Sequence, residues 1–405
     1  MYTSQNINDD EIETYLEQTC IPKLTLNQKT ECDKDISHSE LRDVIFNFKK
    51  GKSPGTDGLT PELYQCFYED IKFHLMSMLQ ECFIDGELCE SMKQGIITLI
   101  HKGGDELEMK NYRPVSLTNY DYKILAFIMA NRIQNVINSL INPDQVGYIK
   151  GRFIGNNARN LIDIMEYAEK FEKEGAVLCL DFMKAFDSLE WNFMFQTLRK
   201  YNFGNSILKW ITVLYTNPIS MIKNNGWIGR KINIYRGVRQ GCPVSSLLFI
   251  LCTEIMNIRL RSSENVKGFV ISDVIKKLFA YADDTSLALR DKESIAYSLN
   301  IIGSFGNVSG LKLNKTKCVG MWLGPYKDTS NMHENIVFTN EPVKCLGIYI
   351  GHNKEKQYEL NWNPKIEKMK VILNMWKMRK LTLAGKVLIL SRHLHYPNFS
   401  ITSTY

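Results

Sequence analysis

The sequence predicts an α+β fold. Three features point there: long stretches with helical periodicity, short β-branched runs that end in turn formers, and no regular strand–helix–strand alternation of the kind parallel sheets need. The 405 residues, 44% hydrophobic and 23% charged, have an ordinary globular composition that allows two or three domains or one large multi-lobed body. A formal net charge of +6 points mildly to a polyanionic partner. The ten cysteines include no CxxC pair and no paired Cys/His spacing. That argues against a zinc module or a disulfide framework, and for free thiols in a reducing compartment. The opening MYTSQNINDDEIETYLEQ is polar and acidic, unlike a signal peptide, and no apolar run reaches membrane-spanning length. The expectation is an intracellular protein, in nucleus or cytoplasm.

Residues 1–40, polar with short apolar interruptions, read as an edge segment. A helix is predicted in LRDVIFNFKK, broken by the turn-rich GKSPGTDG. Thr60 and Pro61 form a helix start, cap then first-turn proline, and the helix continues as ELYQCFYEDIKFHLMSMLQECF. GIITLIHK is apolar and β-branched, a strand turning at Gly103-Gly104. RPVSLTNYDYKILAFIMANRIQNVINSLI reads as a turn and then a long helix stopped at Asn142-Pro143. AVLCL is apolar without alternation, as in a strand buried on both faces. After it Phe182, Phe186, Leu189 and Phe193 recur at helical spacing. A second long helix begins in SSLLFILCTEIMNIRLR, LFAYADDTSLAL follows as a hairpin, and VKCLGIYIG is a short strand pair with a glycine. The last segment, PKIEKMKVILNMWKMRKLTLAGKVLILS, is a basic amphipathic helix or two helices meeting near Gly385.

The chemistry starts with two adjacent acids inside an apolar run. On a straight strand Asp283 and Asp284 would point to opposite faces, one of them into the core. A turn there lets both face one cleft while LFAYA and TSLAL hold them. Asp181 ends the buried AVLCL strand, where open sheets often place ligand sites, although its position before FMKAF also suits a helix N-cap. Convergence of the three on adjacent strands would supply the gathered carboxylates that two Mg²⁺ ions need. Magnesium takes oxygen ligands and usually keeps waters, which leaves room for substrate phosphates. Mn²⁺ is an alternative cation.

At these residues the sequence becomes recognisable. LCLDFMKAFDSLEW, RGVRQGCPVSSLLF and FAYADDTSLAL resemble the catalytic palm motifs of reverse transcriptases. GLKLNKTK and KCLGIYIG resemble the family's lysine-bearing motif and primer-grip strand pair. KSPGTDGLTPELY, ITLIHKGGDELEMKNYRPVSL and DQVGYIKGRFIGNNARNL resemble the fingers of non-LTR (LINE-type) retrotransposon polymerases. The likeness implies a right-hand polymerase fold: an N-terminal extension over 1–40, fingers over 41–175, a palm of antiparallel sheet packed on helices over 176–350, and a partial thumb over 351–405. It implies an RNA-directed DNA polymerase, a nucleotidyltransferase extending a DNA primer on an RNA template from deoxynucleoside triphosphates.

The same resemblance implies roles for single residues. Asp181, Asp283 and Asp284 would ligate the two metals, joined by the main-chain oxygen of Phe182. Phe186 would lie under the sugar and reject a 2′-hydroxyl. Arg113 would clamp the triphosphate, with Lys102 a second clamp, since a guanidinium grips phosphate oxygens bidentately. Gln240 and Gly241 would line the nucleotide pocket. Lys317 would protonate the departing pyrophosphate, a role for which Lys312 and Lys315 compete. Lys365 and Lys368 in the thumb, and Lys150 and Arg152 in DQVGYIKGRFIG, would touch nucleic acid through phosphates. Each of these, without the likeness, reads as an ordinary solvated charge, core aromatic or loop glycine.

Two departures bear on function. Full-length LINE-type proteins carry an endonuclease domain before the polymerase and a cysteine-rich segment after the thumb, and neither is expected in this chain. The end at HYPNFSITSTY implies an incomplete thumb. The rival readings are an RNA-synthesising palm polymerase, which Phe186 opposes, and a nucleic-acid-binding relic without turnover, which the intact carboxylates oppose.

Overall fold

The computed structural model describes residues 3–394 apart from Ser272 and Met378, so HYPNFSITSTY and the end of the expected thumb lie outside the described residues. Capping chemistry sets the first helices. Asn8 accepts from the Asp10 N–H at the start of α1 (Asp9–Glu17), while Thr25 with Gln28 and Ser37 with Glu40 form capping boxes for α2 (Leu26–Asp33) and α3 (His38–Asn47). Residues 1–40 are therefore more than an edge segment. Ile12, Leu16, Leu24 and Cys32 are buried in the main core, and Ser4 Oγ and the Gln5 N–H donate to the Glu190 carboxylate at 2.7 and 3.1 Å. The helix expected after Pro61 breaks at Phe67 into α4 (Pro61–Cys66) and α5 (Tyr68–Asp85), which Gly86 ends in the left-handed region. A single helical turn, α6 (Glu90–Lys93), leads into the first sheet.

That sheet opens with β1 (Gln94–His101) and β2 (Tyr112–Thr118). The second corrects the turn expected at RPVSL. Pro114 is tolerated because β2 is an edge strand in the order β2-β1-β4-β5. Then come α7 (Tyr120–Val136), α8 (Ile154–Lys170) and the buried β3 (Gly175–Leu180). The helix expected over Phe182 to Phe193 is instead α9 (Ala185–Ser188) and α10 (Trp191–Lys200), because Lys184 takes a left-handed backbone (φ 47°) before α9 and Leu189 and Glu190 are extended after it. Asp181 is accordingly no helix cap. After α11 (Asn205–Tyr215) the chain returns to the first sheet. There β4 (Ile219–Asn224) runs parallel to β1, and β5 (Trp227–Ile228) and β6 (Ile232–Asn233) pair with β4. Residues 219–233 thus belong to the sheet built by the expected fingers, inside the span read as palm.

The second sheet carries the acids. α12 (Ser245–Ser262) precedes the hairpin β7 (Phe269–Ile271) and β8 (Val274–Lys276), then β9 (Leu278–Tyr281) and β10 (Asp284–Leu289). α13 (Lys292–Ser309), β11 (Val319–Leu323), β12 (Asn331–His333) and β13 (Ile336–Phe338) complete a six-stranded sheet of order β12-β13-β11-β3-β10-β9. Its centre is buried on both faces. Ala176, Leu178 and Leu180 of β3 join the main core with α12 and α13, whereas Val177 packs with Leu161, Ile164 and Met165 of α8.

The hairpin β14 (Val343–Cys345) and β15 (Ile348–Ile350) turns through Leu346 and Gly347, both at positive φ as a tight primed turn requires. It covers the α8 face of the sheet and brings Cys345 against β3, where it is joined to Cys179 in a disulfide with Cα atoms 6.2 Å apart. The expectation of ten free thiols fails at this pair; the other eight are free. Last come α14 (Lys354–Lys377), which buries none of its described residues, and α15 (Leu383–Leu394). Residues 379–382 are not helical, so the two helices are separate ahead of Gly385. Among the described residues no helix is long and apolar enough to cross a membrane.

Candidate active site

Register brings the three aspartates to one end of the second sheet. β10 pairs antiparallel with β3, Thr285 opposite Leu180. One step further along the same ladder sets Asp284 across from Asp181, and residues directly opposite share a face. Asp283 escapes the alternation of a strand because it is not in one. Tyr281 and Asp284 pair, leaving Ala282 and Asp283 as a two-residue turn, with Ala282 in the left-handed region (φ 55°).

The turn is held from outside. Gln145 is fully buried, and its Oε1 accepts from the Ala282 N–H at 2.9 Å and the Gly147 N–H at 2.8 Å. On either side the Ala280 N–H donates to the Asp144 carbonyl, and the Val146 N–H donates to the Ala280 carbonyl, each at 3.0 Å. A side chain at Gly147 would put its Cβ 2.5 Å from the Ala282 nitrogen. On the β3 side, the Asp181 carbonyl accepts from the Asn314 N–H at 2.8 Å and Phe182 bridges to Leu313, so the GLKLNKTK segment buttresses Asp181. Sequence reading missed Gln145. Its one visible signal is a glutamine flanked by apolar and glycine residues, which has no periodicity to expose it.

Cations face the acids. Burial lowers the Lys102 pKa, and so do the positive charges of Arg113 and Lys317, against the pull of Asp283 and Asp181. Lys102 is thus within electrostatic reach of Asp283 and Asp181 as well as of Arg113 and Lys317. Of the three competing lysines, Lys315 donates to the Glu334 carbonyl at 3.4 Å, and Lys312, Lys315 and Lys317 are all exposed. Tyr148, unremarked in the sequence, also reaches the site. Its ring lies 5.9 Å from that of Tyr281, and burial together with Tyr281, Asp283 and Asp284 pushes its hydroxyl up to about 12.

Phe186 is half-buried, stacked on Phe249 of α12 with centroids 4.5 Å apart and planes 15° from parallel. Its carbonyl accepts from the Val238 N–H at 2.7 Å, which ties the aromatic to the RQGCP loop. In that loop the Gln240 carbonyl accepts from the Ser116 N–H at 2.8 Å. Gly241 has φ 101°, and an added Cβ would stand 2.8 Å from the Ser116 carbonyl oxygen, so only glycine suits this approach to β2. The residues expected in the nucleotide pocket are thereby joined to the strand of Arg113.

The expected nucleic-acid contacts divide. Lys150 and Lys368 are exposed, and Lys365 lies with its Nζ 5.5 Å from the Trp362 ring. Arg152 is differently employed. Its guanidinium donates to the carbonyls of Ile141, Asn142 and Gln145 and to Asn138 Oδ1. That fixes the loop carrying Gln145, a duty the sequence did not show.

The carboxylates form an all-oxygen donor set, which suits a hard divalent cation. Burial pushes the Asp283 carboxyl up to about 6, with the charges of Asp284 and Asp181 adding and Arg113 opposing. A cation there would return it to the charged form, since ligands bind metal deprotonated. Among the described residues no three His, Cys, Asp or Glu groups are drawn together tightly enough to hold a metal by themselves.

A helix-packed, mainly antiparallel sheet with three acids at one end is consistent with the palm of a right-hand polymerase. The family model described as reverse transcriptase (RNA-dependent DNA polymerase) matches residues 100–350, and the chain belongs to that family, whose members are nucleotidyltransferases. It is 30% identical over 378 residues to the transposon TX1 uncharacterized 149 kDa protein of Xenopus laevis, which covers 92% of this chain and 29% of that protein. It is 28% identical over 283 residues to the Pol polyprotein of the type-2 retrotransposable element R2DM of Drosophila melanogaster, covering 70% of this chain and 26% of that one. The R2 element polyprotein of Popillia japonica is 26% identical over 291 residues, 71% of this chain and 39% of its own. The non-LTR resemblance of the motifs agrees with these relatives. The chain spans well under half the length of each.

Proposed function

We propose that this chain extends a DNA primer on an RNA template by metal-dependent transfer of deoxynucleotides. What supports the reading is the gathering of Asp181, Asp283 and Asp284 at one end of the β3–β10 ladder, with Lys102 electrostatically coupled to Asp283 and Asp181. Asp181, Asp283 and Asp284, with the Phe182 carbonyl, would hold two Mg²⁺ ions or Mn²⁺. Bound there, the ions would supply charge neutralisation and a lowered hydroxyl pKa for the attacking primer terminus.

The chain's own groups do the rest. Arg113 and Lys102 bind and orient the triphosphate. Lys317 is the proton donor to pyrophosphate. Phe186, fixed by its stack on Phe249, closes the space a 2′-hydroxyl would need. Residues 41–175 act as fingers, 176–350 as palm and 351–405 as the part of a thumb that follows duplex phosphates through Lys365 and Lys368, with 1–40 an N-terminal extension.

The test is primer extension with purified chain, RNA template, annealed DNA primer, Mg²⁺ and either deoxy- or ribonucleotides, beside Asp283→Asn/Asp284→Asn. Deoxynucleotide extension that vanishes in the double variant supports the reading. Salt-sensitive duplex binding without extension by either nucleotide set would replace it with a binding relic.

A further inference from the structure

Among the described residues the chain holds one crosslink, Cys179–Cys345, and strand register sets it beside the acids. Cys179 of β3 lies opposite Ser286 of β10, and Ser286 Oγ is 3.8 Å from Cys179 Sγ. Asp181 and Asp284 lie two residues along from this pair. By alternation they share the sheet face of the crosslink, about 7 Å beyond it. Cys345 sits just before the tight turn of the β14–β15 hairpin, which forms a two-stranded sheet of its own. The hairpin is held on its other side by α14. Asn361 Oδ1 accepts from the Tyr349 N–H at 2.9 Å, and Asn361 Nδ2 donates to the Tyr349 carbonyl at 2.7 Å. One disulfide therefore joins the strand leading to Asp181 to the hairpin, and through the hairpin to α14.

A staple is not what this fold needs. Crosslinks stand in for a core in small domains, whereas these 405 residues bury a large one. The other eight cysteines are free thiols, so no oxidised framework surrounds the pair, and an isolated bridge of this kind suits exchange. The Cα atoms stand 6.2 Å apart, a separation at which the bond closes and opens without backbone movement. Cys179 is half-buried and Cys345 is 3% exposed, so an attacking thiol meets the Cys179 sulfur. With the bridge open the hairpin keeps its noncovalent holds: the burial of Leu346 and Ile350, and His352 Nε2 at 2.8 Å from the Trp322 carbonyl. What is lost is the covalent tie to the strand that ends at Asp181.

We propose that Cys179–Cys345 is a thiol–disulfide exchange site for small thiols of the glutathione class, and that its state sets how firmly the β14–β15 hairpin is held beside Asp181 and Asp284. In opening, a glutathione thiol attacks the Cys179 sulfur, and the protein S–S bond breaks. Cys345 leaves with the bonding pair and takes the proton that the attacking thiol gave up. A second glutathione frees Cys179 from the mixed disulfide, so two glutathiones become one glutathione disulfide and the protein gains two thiols. Closing is the reverse. The effect on catalysis rests on the polymerase reading above; the exchange does not.

The test equilibrates the purified chain with glutathione and glutathione disulfide at varied ratios, alkylates it in denaturant and counts thiols by intact mass. The count should step reversibly between eight and ten, with the change mapped to Cys179 and Cys345. Across the same step, amide exchange over residues 343–350 should quicken in the reduced form. The kcat/KM for primer–template duplex should fall about tenfold and return with glutathione disulfide. Cys345→Ser should match the reduced chain and ignore the couple. Cys179→Ser should do the same from the other end, a second route if one variant does not fold. A thiol count fixed at every ratio, unchanged amide exchange across the step, or unchanged extension by an active chain each overturn the proposal. If no form extends a primer while thiol count and amide exchange still step together, the polymerase reading fails and the exchange site stands.

Discussion

The two sheets handle charge in opposite ways. The six-stranded sheet is covered on both faces and carries its acids where β3 and β10 run out. The five-stranded sheet leaves its far end open, with Ile100, Trp227 and Ile228 each more than half exposed and cations around them. Burial fixes a geometry but makes each unmatched charge expensive, so the six-stranded sheet suits groups that must be aimed. Exposure leaves a surface free to take substrates of varying sequence. The contrast predicts that substitutions near β3 and β10 act steeply on chemistry, while those on the open sheet act on affinity.

The steepest test is Asp283→Asn/Asp284→Asn. Extension should fall by more than about a thousandfold, read by primer extension, because charge placed for the transition state is lost. Melting temperature should hold or rise, since like-charge repulsion at the turn is relieved. A drop in stability instead would show that the acids serve the fold.

Next is Gln145→Leu. The Ala282 and Gly147 N–H groups lose their shared acceptor in a buried place, at about 1–3 kcal/mol each. Extension should fall about a hundredfold as the turn loosens. Amide hydrogen exchange should quicken at Ala282 and Gly147 before it does in the outer strands. Unchanged exchange there would break the claim that the turn is held from outside.

Phe186→Val should relax discrimination against ribonucleotides by tenfold or more, measured as the ratio of kcat/KM for the two sugars. Loss of the stack on Phe249 costs about 1 kcal/mol in denaturant unfolding. A variant that loses stability without changing sugar choice would reduce Phe186 to core.

The smallest effect concerns Asp121 at the start of α7, beside the open sheet. Burial, with the charge of Asp57 adding, pushes its carboxyl from 3.8 to about 6. The folded state thus prefers the protonated form, and stability falls as pH rises through that window. Asp121→Asn keeps an acceptor for the Tyr122 N–H and should be the more stable protein at pH 7, by no more than about 3 kcal/mol. The gain should vanish below pH about 4 in pH-dependent unfolding.

What the sequence disclosed follows from which signals are local. The buried strand at AVLCL, the hairpin at LFAYADDTSLAL and the helix from Ser245 are periodic or bounded by turn formers, and all three are found. β2 was hidden by Pro114, whose cost disappears only because β1 lies on its one paired side. The run Phe182 to Phe193 keeps helical spacing through a left-handed residue at Lys184, which no periodicity registers. β4 and β5 flank Asn225-Gly226, a strong hairpin signal that went unused. The aspartates were legible as a turn. Gln145 and the second duty of Arg152 were not, because a side chain that satisfies another segment's backbone leaves no pattern in its own.

β1 finds its parallel partner in β4 more than a hundred residues later, with β3 and Asp181 threaded between. The open sheet therefore cannot close during synthesis until the chain has passed Asp181 and made α10 and α11. Such non-local parallel pairing folds slowly and leaves strand edges exposed meanwhile. For a polymerase this sets a quality check by order of assembly: a chain that ends before residue 219 has neither a finished substrate-facing sheet nor the hairpin of Asp283 and Asp284, so premature products lack both halves of the site together.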